Sequence, residues 1–174
     1  MADSKQERRR LDRILRDDYA DDLDELTLDG VRTRRDECLA EREYLSYLRR
    51  LLHGRIEILR AEREARASGE EAPLVDRLAT IFGSDTPSGP SRGEALRLGL
   101  PEEDMALARR RVERLISDAA ISDPTSLGER ELDEAIEALD RDERAVSDMR
   151  QVVMRAHDLF QEEFKRRYKE RLSS

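Results

Sequence analysis

Tryptophan is absent from this sequence, and aromatic residues make up only 4% of its 174 residues. Hydrophobic residues amount to 37% and charged residues to 43%. A chain with so little apolar material does not fill a thick globular core. Its leucines and alanines nevertheless recur with helical periodicity, which favours helices joined along narrow apolar seams over a wholly disordered chain.

Cysteine and long apolar runs are also scarce. Cys38 is the single cysteine, so an intrachain disulfide and a cysteine-based zinc site are both excluded. No stretch approaches the roughly 18 consecutive apolar residues of a membrane-spanning helix. The first ten residues, MADSKQERRR, lack the apolar segment of a secretory signal. We therefore expect a cytoplasmic protein that makes no contact with a membrane.

An excess of basic residues is missing as well. The formal net charge is −8, which argues against direct DNA binding, because such binding depends on a basic surface that releases counterions from phosphates. Basic and acidic residues are interleaved along the chain, as is typical of solvated helix faces. This pattern still permits a local site for an anion.

The motifs of common enzyme classes are absent. The sequence contains neither a phosphate-cradling glycine loop nor a nucleophile elbow, and no strand pattern to hold one, so we predict that the protein is not an enzyme. His53 with Glu57, joined by His157 and Asp158, is one possible metal site. Histidines at the boundary of a helical bundle are the more ordinary interpretation, and we predict no metal.

Two long segments without proline carry apolar residues every seven positions. These residues are Val31, Cys38, Leu45, Leu52 and Leu59 in the first segment and Leu132, Leu139, Val146, Val153 and Phe160 in the second. The spacing predicts helices over about 29–67 and 127–171, the second after a capping box of Ser126 and Glu129. Gly54 lies within the first helix, which indicates a close approach by another chain segment or a ligand.

The remaining segments complete an all-α architecture. We predict an N-terminal arm over 1–28 and a single helical coiled-coil domain over 29–174, in which the two long helices form an antiparallel hairpin. The connecting insert, 68–126, contains short helices at 74–82 and after Pro101, separated by a loop rich in glycine, serine and proline. The arm carries a short amphipathic helix over 9–19 and is either a solvated lead-in or a partner-docking arm.

A line of polar residues recurs beside both apolar stripes. A shift of 101 residues places Ser46 on Ser147, Arg49 on Arg150 and Glu57 on Asp158. Steps of three and four residues keep each line on one helix face. The full lines are Arg42, Ser46, Arg49, His53 and Glu57 on the first helix and Glu143, Ser147, Arg150, Met154 and Asp158 on the second.

These residue types suit a guanine nucleotide that carries phosphates. Arginine binds the guanine edge as a fork and neutralises phosphate. A carboxylate accepts hydrogen bonds from guanine N1 and N2, and serine is short and donates one hydrogen bond. The alternative is ordinary salt bridging between residues three and four apart on helices rich in arginine and glutamate.

The line on the second helix resembles the E-x3-S-x2-R-x3-Q-x3-D signature of RsiG-type anti-sigma factors. Glu143, Ser147, Arg150 and Asp158 match it, and Met154 replaces the glutamine. The first helix is similar to that family in texture, over LSYLRRLLHGRIEILRAE, and Ser46 and Arg49 match outright. The first helix departs from the signature at three positions. Glu57 replaces the aspartate conservatively, His53 replaces the glutamine, and Arg42 reverses the charge of the glutamate.

The resemblance implies a function in signalling. In that family the two signature helices form a coiled coil that binds a dimer of cyclic di-GMP and captures a WhiG-type sigma factor. It implies that the ten residues of the two lines bind the ligand, which would stabilise one arrangement of the helices and so favour partner binding. The alternative hypothesis is a structural coiled-coil interaction protein without a nucleotide ligand.

Overall fold

The computed structural model describes residues 10–69, 100–118 and 123–173. These residues form helices and turns and contain no strand. Helix α1 spans Leu28–Ser68, α2 spans Glu102–Asp118 and α3 spans Glu129–Ser173. The two predicted long helices are confirmed, since α1 and α3 begin and end within two residues of the expected positions.

Two predictions for the insert have different outcomes. The short helix over 74–82 and the loop after it lie outside the described residues. The helix after Pro101 is confirmed as α2, whose first turn includes a 3.1 Å hydrogen bond from the Met105 N–H to the Pro101 carbonyl. Proline suits this position because the residue that begins a helix needs no backbone N–H for the helical ladder.

The chain divides into two compact units. Unit 1 combines Met1–Ser46 with Val146–Ser174, and unit 2 is Tyr47–Ala145. In each unit a stretch of α1 packs against a stretch of α3. The predicted boundary at residue 28, between an arm and a single coiled-coil domain, stays a prediction.

Both seven-residue stripes form the cores of these units. All ten stripe residues are at most 2% exposed, so the predicted seams are confirmed. Burying a leucine, valine or phenylalanine side chain contributes about 1.5–3 kcal/mol relative to leaving it exposed. Each unit is therefore held by a narrow apolar seam, as the composition indicates.

The N-terminal arm packs into unit 1. Ile14 and Tyr19 are buried, and the Tyr19 ring meets the Phe160 ring edge-on at 5.5 Å between centroids. Arg34 on α1 donates to both carboxylate oxygens of Asp22, at 2.5 and 2.6 Å, and also to the Tyr19 carbonyl. The interpretation of this stretch as a solvated lead-in is wrong, because its apolar side chains belong to the core.

The helix of the arm is shorter than the predicted 9–19. Its described part covers residues 10–14, and residues 15–20 form turns. Asp18 binds the Arg16 guanidinium through two hydrogen bonds, at 2.5 and 2.9 Å. Aspartate side chains form such local bonds readily, which favours a turn over a continuing helix.

The predicted capping box before α3 is wrong by two residues. The Ser126 hydroxyl donates to the Asp123 carbonyl at 2.8 Å within a single 3₁₀ turn, Pro124–Ser126. The Glu131 carboxylate instead accepts from the Gly128 N–H at 2.9 Å. Ser126 is unsuited to cap α3 because its hydroxyl is already used by the preceding turn.

Gly54 does not mark a close approach. A methyl group added at this position would meet no atom within 4 Å, so the expectation of a neighbouring chain segment is wrong for the described residues, and that of a ligand stays a prediction. Gly69 is different, because its φ of +68° lies in the left-handed region that glycine adopts readily after a helix. It follows directly on the last residue of α1.

The 101-residue repeat extends to the ends of both long helices. In unit 2, Arg66 donates to the Leu127 carbonyl at 2.7 Å, and Glu62 accepts from its Nε at 2.8 Å. The residues at the equivalent repeat positions in unit 1 make the same contacts: Arg167 donates to the Leu26 carbonyl and is bound by Glu163. In each unit an arginine thus satisfies carbonyls of the turn that precedes a long helix.

Candidate functional site

Six of the ten predicted site residues form two clusters, each inside one unit. The Arg150 cluster consists of Arg42, Ser46 and Arg150 in unit 1. The Arg49 cluster consists of Arg49, His53 and Glu143 in unit 2.

In the Arg150 cluster, the arginine is bonded to a neutral hydroxyl. Arg150 Nε donates to Ser46 Oγ at 2.8 Å, and the same hydroxyl donates to the Arg42 carbonyl at 2.7 Å. Serine makes this back-bond readily inside a helix, and its small side chain leaves room for the guanidinium. No carboxylate of the described residues forms an ion pair with Arg150. The Arg42 guanidinium lies against Glu43, at 2.8 Å.

In the Arg49 cluster, the arginine is bonded to a carboxylate. Arg49 Nε donates to Glu143 Oε1 at 2.7 Å, and His53 Nε2 lies 3.0 Å from the same oxygen. The Glu143 side chain is only 14% exposed, whereas that of Arg49 is 43% exposed. A charge-assisted hydrogen bond of this length is among the stronger polar contacts in proteins.

The structure pairs Glu57 and Asp158 with residues outside these clusters. Glu57 lies 3.5 Å from Arg60, and the Asp158 carboxylate is 3.1 Å from the neighbouring His157. The side chain of Asp158 is 70% exposed. Met154 and Ser147 are half-buried. That these residues bind a ligand stays a prediction.

The contacts of the histidines differ from those of a metal site. His53 lies beside Glu143 rather than chelating with Glu57. In the parts of the chain that the structure describes, no three histidine, cysteine or acidic side chains come together to hold a metal ion.

Cys38 is a core residue without thiolate chemistry. Its Sγ lies 3.8 Å from the Tyr19 hydroxyl, and burial raises the pKa of the thiol to about 11. The thiol is therefore protonated near neutral pH, as is typical of a buried structural cysteine.

Sequence reasoning missed a small open groove in unit 1, of about 190 Å³. It is lined by Arg13, Arg16, Asp18, Tyr19, Asp22 and Arg34. All three arginines form ion pairs with acidic side chains. Hydrogen bonding to Arg34 lowers the pKa of Asp22, so the groove is charged but internally neutralised. The acidic composition of the arm alone gave no signal for these pairs.

Comparison with known proteins gives one family. A family model described as RsiG-like matches residues 17–82, so this part of the chain is similar to that family. The matched range includes all of α1, whereas the signature residues that agree best with that family lie on α3. No curated protein matches the chain. None of the described helices is long and apolar enough to cross a membrane.

Proposed function

We propose that this RsiG-type chain is an anti-sigma factor that binds cyclic di-GMP through the Arg150 and Arg49 clusters and, when loaded, sequesters a WhiG-type sigma factor. This role is regulatory and breaks no bond, so we propose no catalysis. The observation that carries the proposal is the repeat of one arginine position in both units, each time hydrogen-bonded across to the opposite long helix.

The chemistry of the ligand fits the residues of the two lines. Cyclic di-GMP carries two phosphates and two guanines, and a dimer of it brings four phosphate charges. Arg49 and Arg150 offset part of that charge through charge-assisted hydrogen bonds. The exposed carboxylates of Glu57 and Asp158 are available to accept from guanine N1 and N2. Met154 lacks the amide of the signature glutamine, so we expect no hydrogen bond from that position.

The order of contacts within each unit supports an antiparallel hairpin. In unit 1, Leu26 contacts Arg167 and Ser46 contacts Arg150. In unit 2, Arg49 contacts Glu143, and Arg66 contacts Leu127. Positions later in α1 thus meet positions earlier in α3 or just before it. A ligand that binds both helices would stabilise their packing, so the sigma factor would meet a surface already ordered.

A structural coiled-coil protein without a nucleotide is the second candidate. The Arg49–Glu143 pair favours it, because this arginine is already engaged inside the chain. Under this hypothesis, replacing Arg49 or Arg150 by alanine leaves partner binding unchanged, since exposed charges are individually worth little.

The test is a calorimetric titration of a WhiG-type sigma factor into the full chain with and without cyclic di-GMP. We expect the nucleotide to tighten the complex by at least about tenfold, a typical coupling between two ligands. Cyclic di-AMP is the matched control and is expected to have no effect, because it lacks the guanine N1 and N2 donors. Equal affinity with and without cyclic di-GMP would contradict the proposal.

A further inference from the structure

The two clusters are equivalent by repeat position but not by charge. A shift of 101 residues places Arg49 on Arg150 and Ser46 on Ser147, and it places Arg42 on Glu143. Arg49 therefore donates to a carboxylate, Glu143. In the Arg150 cluster the residue at that repeat position is itself an arginine, and Arg150 donates to the Ser46 hydroxyl.

Because of this difference, the two clusters present unequal charge to an approaching anion. In the Arg49 cluster the charge of Glu143 cancels that of Arg49. In the Arg150 cluster Glu43 offsets Arg42, and the charge of Arg150 remains. A phosphate that approaches Arg150 gains its attraction without breaking an ion pair. A phosphate that approaches Arg49 must compete with a carboxylate that is 14% exposed and 2.7 Å from Arg49 Nε.

We propose that the Arg150 cluster is the higher-affinity phosphate subsite and that Glu143 is an internal competitor that occupies Arg49 until an anionic ligand displaces it. The identity of the ligand rests on the proposed function, whereas the inequality of the clusters does not. Arg42 reverses the charge of the signature glutamate. The Arg150 cluster therefore has no carboxylate at this position, and the charge of Arg150 remains available to a phosphate.

Two substitutions test the competitor with opposite expected signs. Glu143→Gln keeps the size of the side chain and an oxygen that accepts from Arg49 but removes the negative charge. We expect it to raise the affinity for cyclic di-GMP about three- to tenfold in calorimetric titration, because the ion pair with Arg49 is replaced by a weaker hydrogen bond to a neutral acceptor. Arg42→Glu supplies a carboxylate to the Arg150 cluster, and we expect it to lower the affinity by a similar factor.

The matched control is Glu137→Gln, which makes the same charge change on an exposed residue of α3. It is expected to leave the affinity unchanged, and unchanged helical circular dichroism verifies the fold of each variant. If Glu143 contacts guanine, as the resemblance implies, Glu143→Gln lowers the affinity. That result, or no change, overturns the proposal.

A second measurement separates this inference from the proposed function. Inorganic pyrophosphate probes phosphate affinity without guanine, and the arginine Nε–H signals of the full chain are followed by nuclear magnetic resonance during its addition. We expect the Arg150 signal to shift at a lower pyrophosphate concentration than the Arg49 signal. Equal shifts, an earlier shift of Arg49 or no shift of either overturns the inference, whether or not cyclic di-GMP binds. Absence of cyclic di-GMP binding with an early Arg150 shift defeats only the proposed function.

Discussion

At the residue scale, Ser46 decides how Arg150 is presented. Its hydroxyl accepts from Arg150 Nε while it donates to the Arg42 carbonyl, so one small side chain joins the two arginines of the cluster. A hydroxyl orients a guanidinium without neutralising it. Glu143 also orients Arg49, but its carboxylate neutralises the guanidinium charge as well.

Ser46→Ala is expected to separate ligand binding from stability. The substitution removes the acceptor that orients Arg150, so we expect the affinity for cyclic di-GMP to fall by about tenfold, the value of one hydrogen bond to a charged group. Stability should change by less than about 1 kcal/mol, because alanine has the higher helix propensity. Calorimetric titration and thermal unfolding measure the two effects. A large loss of stability with unchanged affinity would make Ser46 a purely structural residue.

Sequence reasoning identified the arginines but not their partners. Residue identity and helical spacing place Ser46 and Arg49 on one face of α1, because the helix period is a local property. Which side chain of α3 meets each of them depends on the stagger between the helices. Two stripes with a seven-residue period fit together at several staggers, so spacing alone did not pair Arg49 with Glu143 or Arg150 with Ser46.

At the element scale, the same arginine contact recurs near an end of each long helix, where an arginine donates to carbonyls of the turn that precedes the other long helix. Arg167 satisfies carbonyls of the turn before α1, and Glu163 binds Arg167 and Arg166. Hydrogen bonds from these two arginines lower the pKa of the Glu163 carboxyl to about 2. The carboxylate form is thus favoured by the folded state.

Because the pKa of Glu163 is lower in the folded than in the unfolded chain, its contribution to stability is present above about pH 5 and is lost as the pH falls towards 2. Glu163→Gln is therefore expected to melt at a lower temperature than the wild type at pH 7. The difference in melting temperature should shrink between pH 5 and pH 2. Thermal unfolding followed by circular dichroism measures it, and a constant difference over that range would contradict the assigned ion pairs.

Two glycines, one within α1 and one directly after it, provide a matched pair. Gly54 lies within the helix with open space around it, so Gly54→Ala is expected to stabilise the protein by about 1 kcal/mol. Gly69 has a φ of +68°, so Gly69→Ala is expected to destabilise it by a comparable amount. Chemical denaturation measures both. Destabilisation by Gly54→Ala would indicate a neighbour that the described residues do not include.

The helices themselves were predictable, and their caps were not. Apolar spacing and the absence of proline fixed α1 and α3 to within two residues, because burial of a seam selects the helical period. The cap of α3 differs from the predicted one because the Ser126 hydroxyl donates to the Asp123 carbonyl within a local turn. Such short-range competition depends on a few hydrogen bonds of similar strength, which a sequence signature does not rank.

At the scale of the whole molecule, negative charge outnumbers positive charge. The chain carries a net charge of −8, and many of its arginines form ion pairs with acidic neighbours. Arg150, which donates to a neutral hydroxyl and forms no ion pair among the described residues, is one position where an anionic ligand meets favourable charge. The excess of negative charge disfavours binding of a long polyanion, whose affinity rests on many phosphate contacts.

The most direct test of this account is a calorimetric titration of cyclic di-GMP into the 174-residue chain, performed on the wild type, Arg150→Ala and Arg49→Ala. We predict saturable binding to the wild type, none to Arg150→Ala and weakened binding to Arg49→Ala, with helical circular dichroism unchanged in all three. Absence of binding to the intact wild type up to high micromolar nucleotide, or wild-type affinity in Arg150→Ala, would contradict the account.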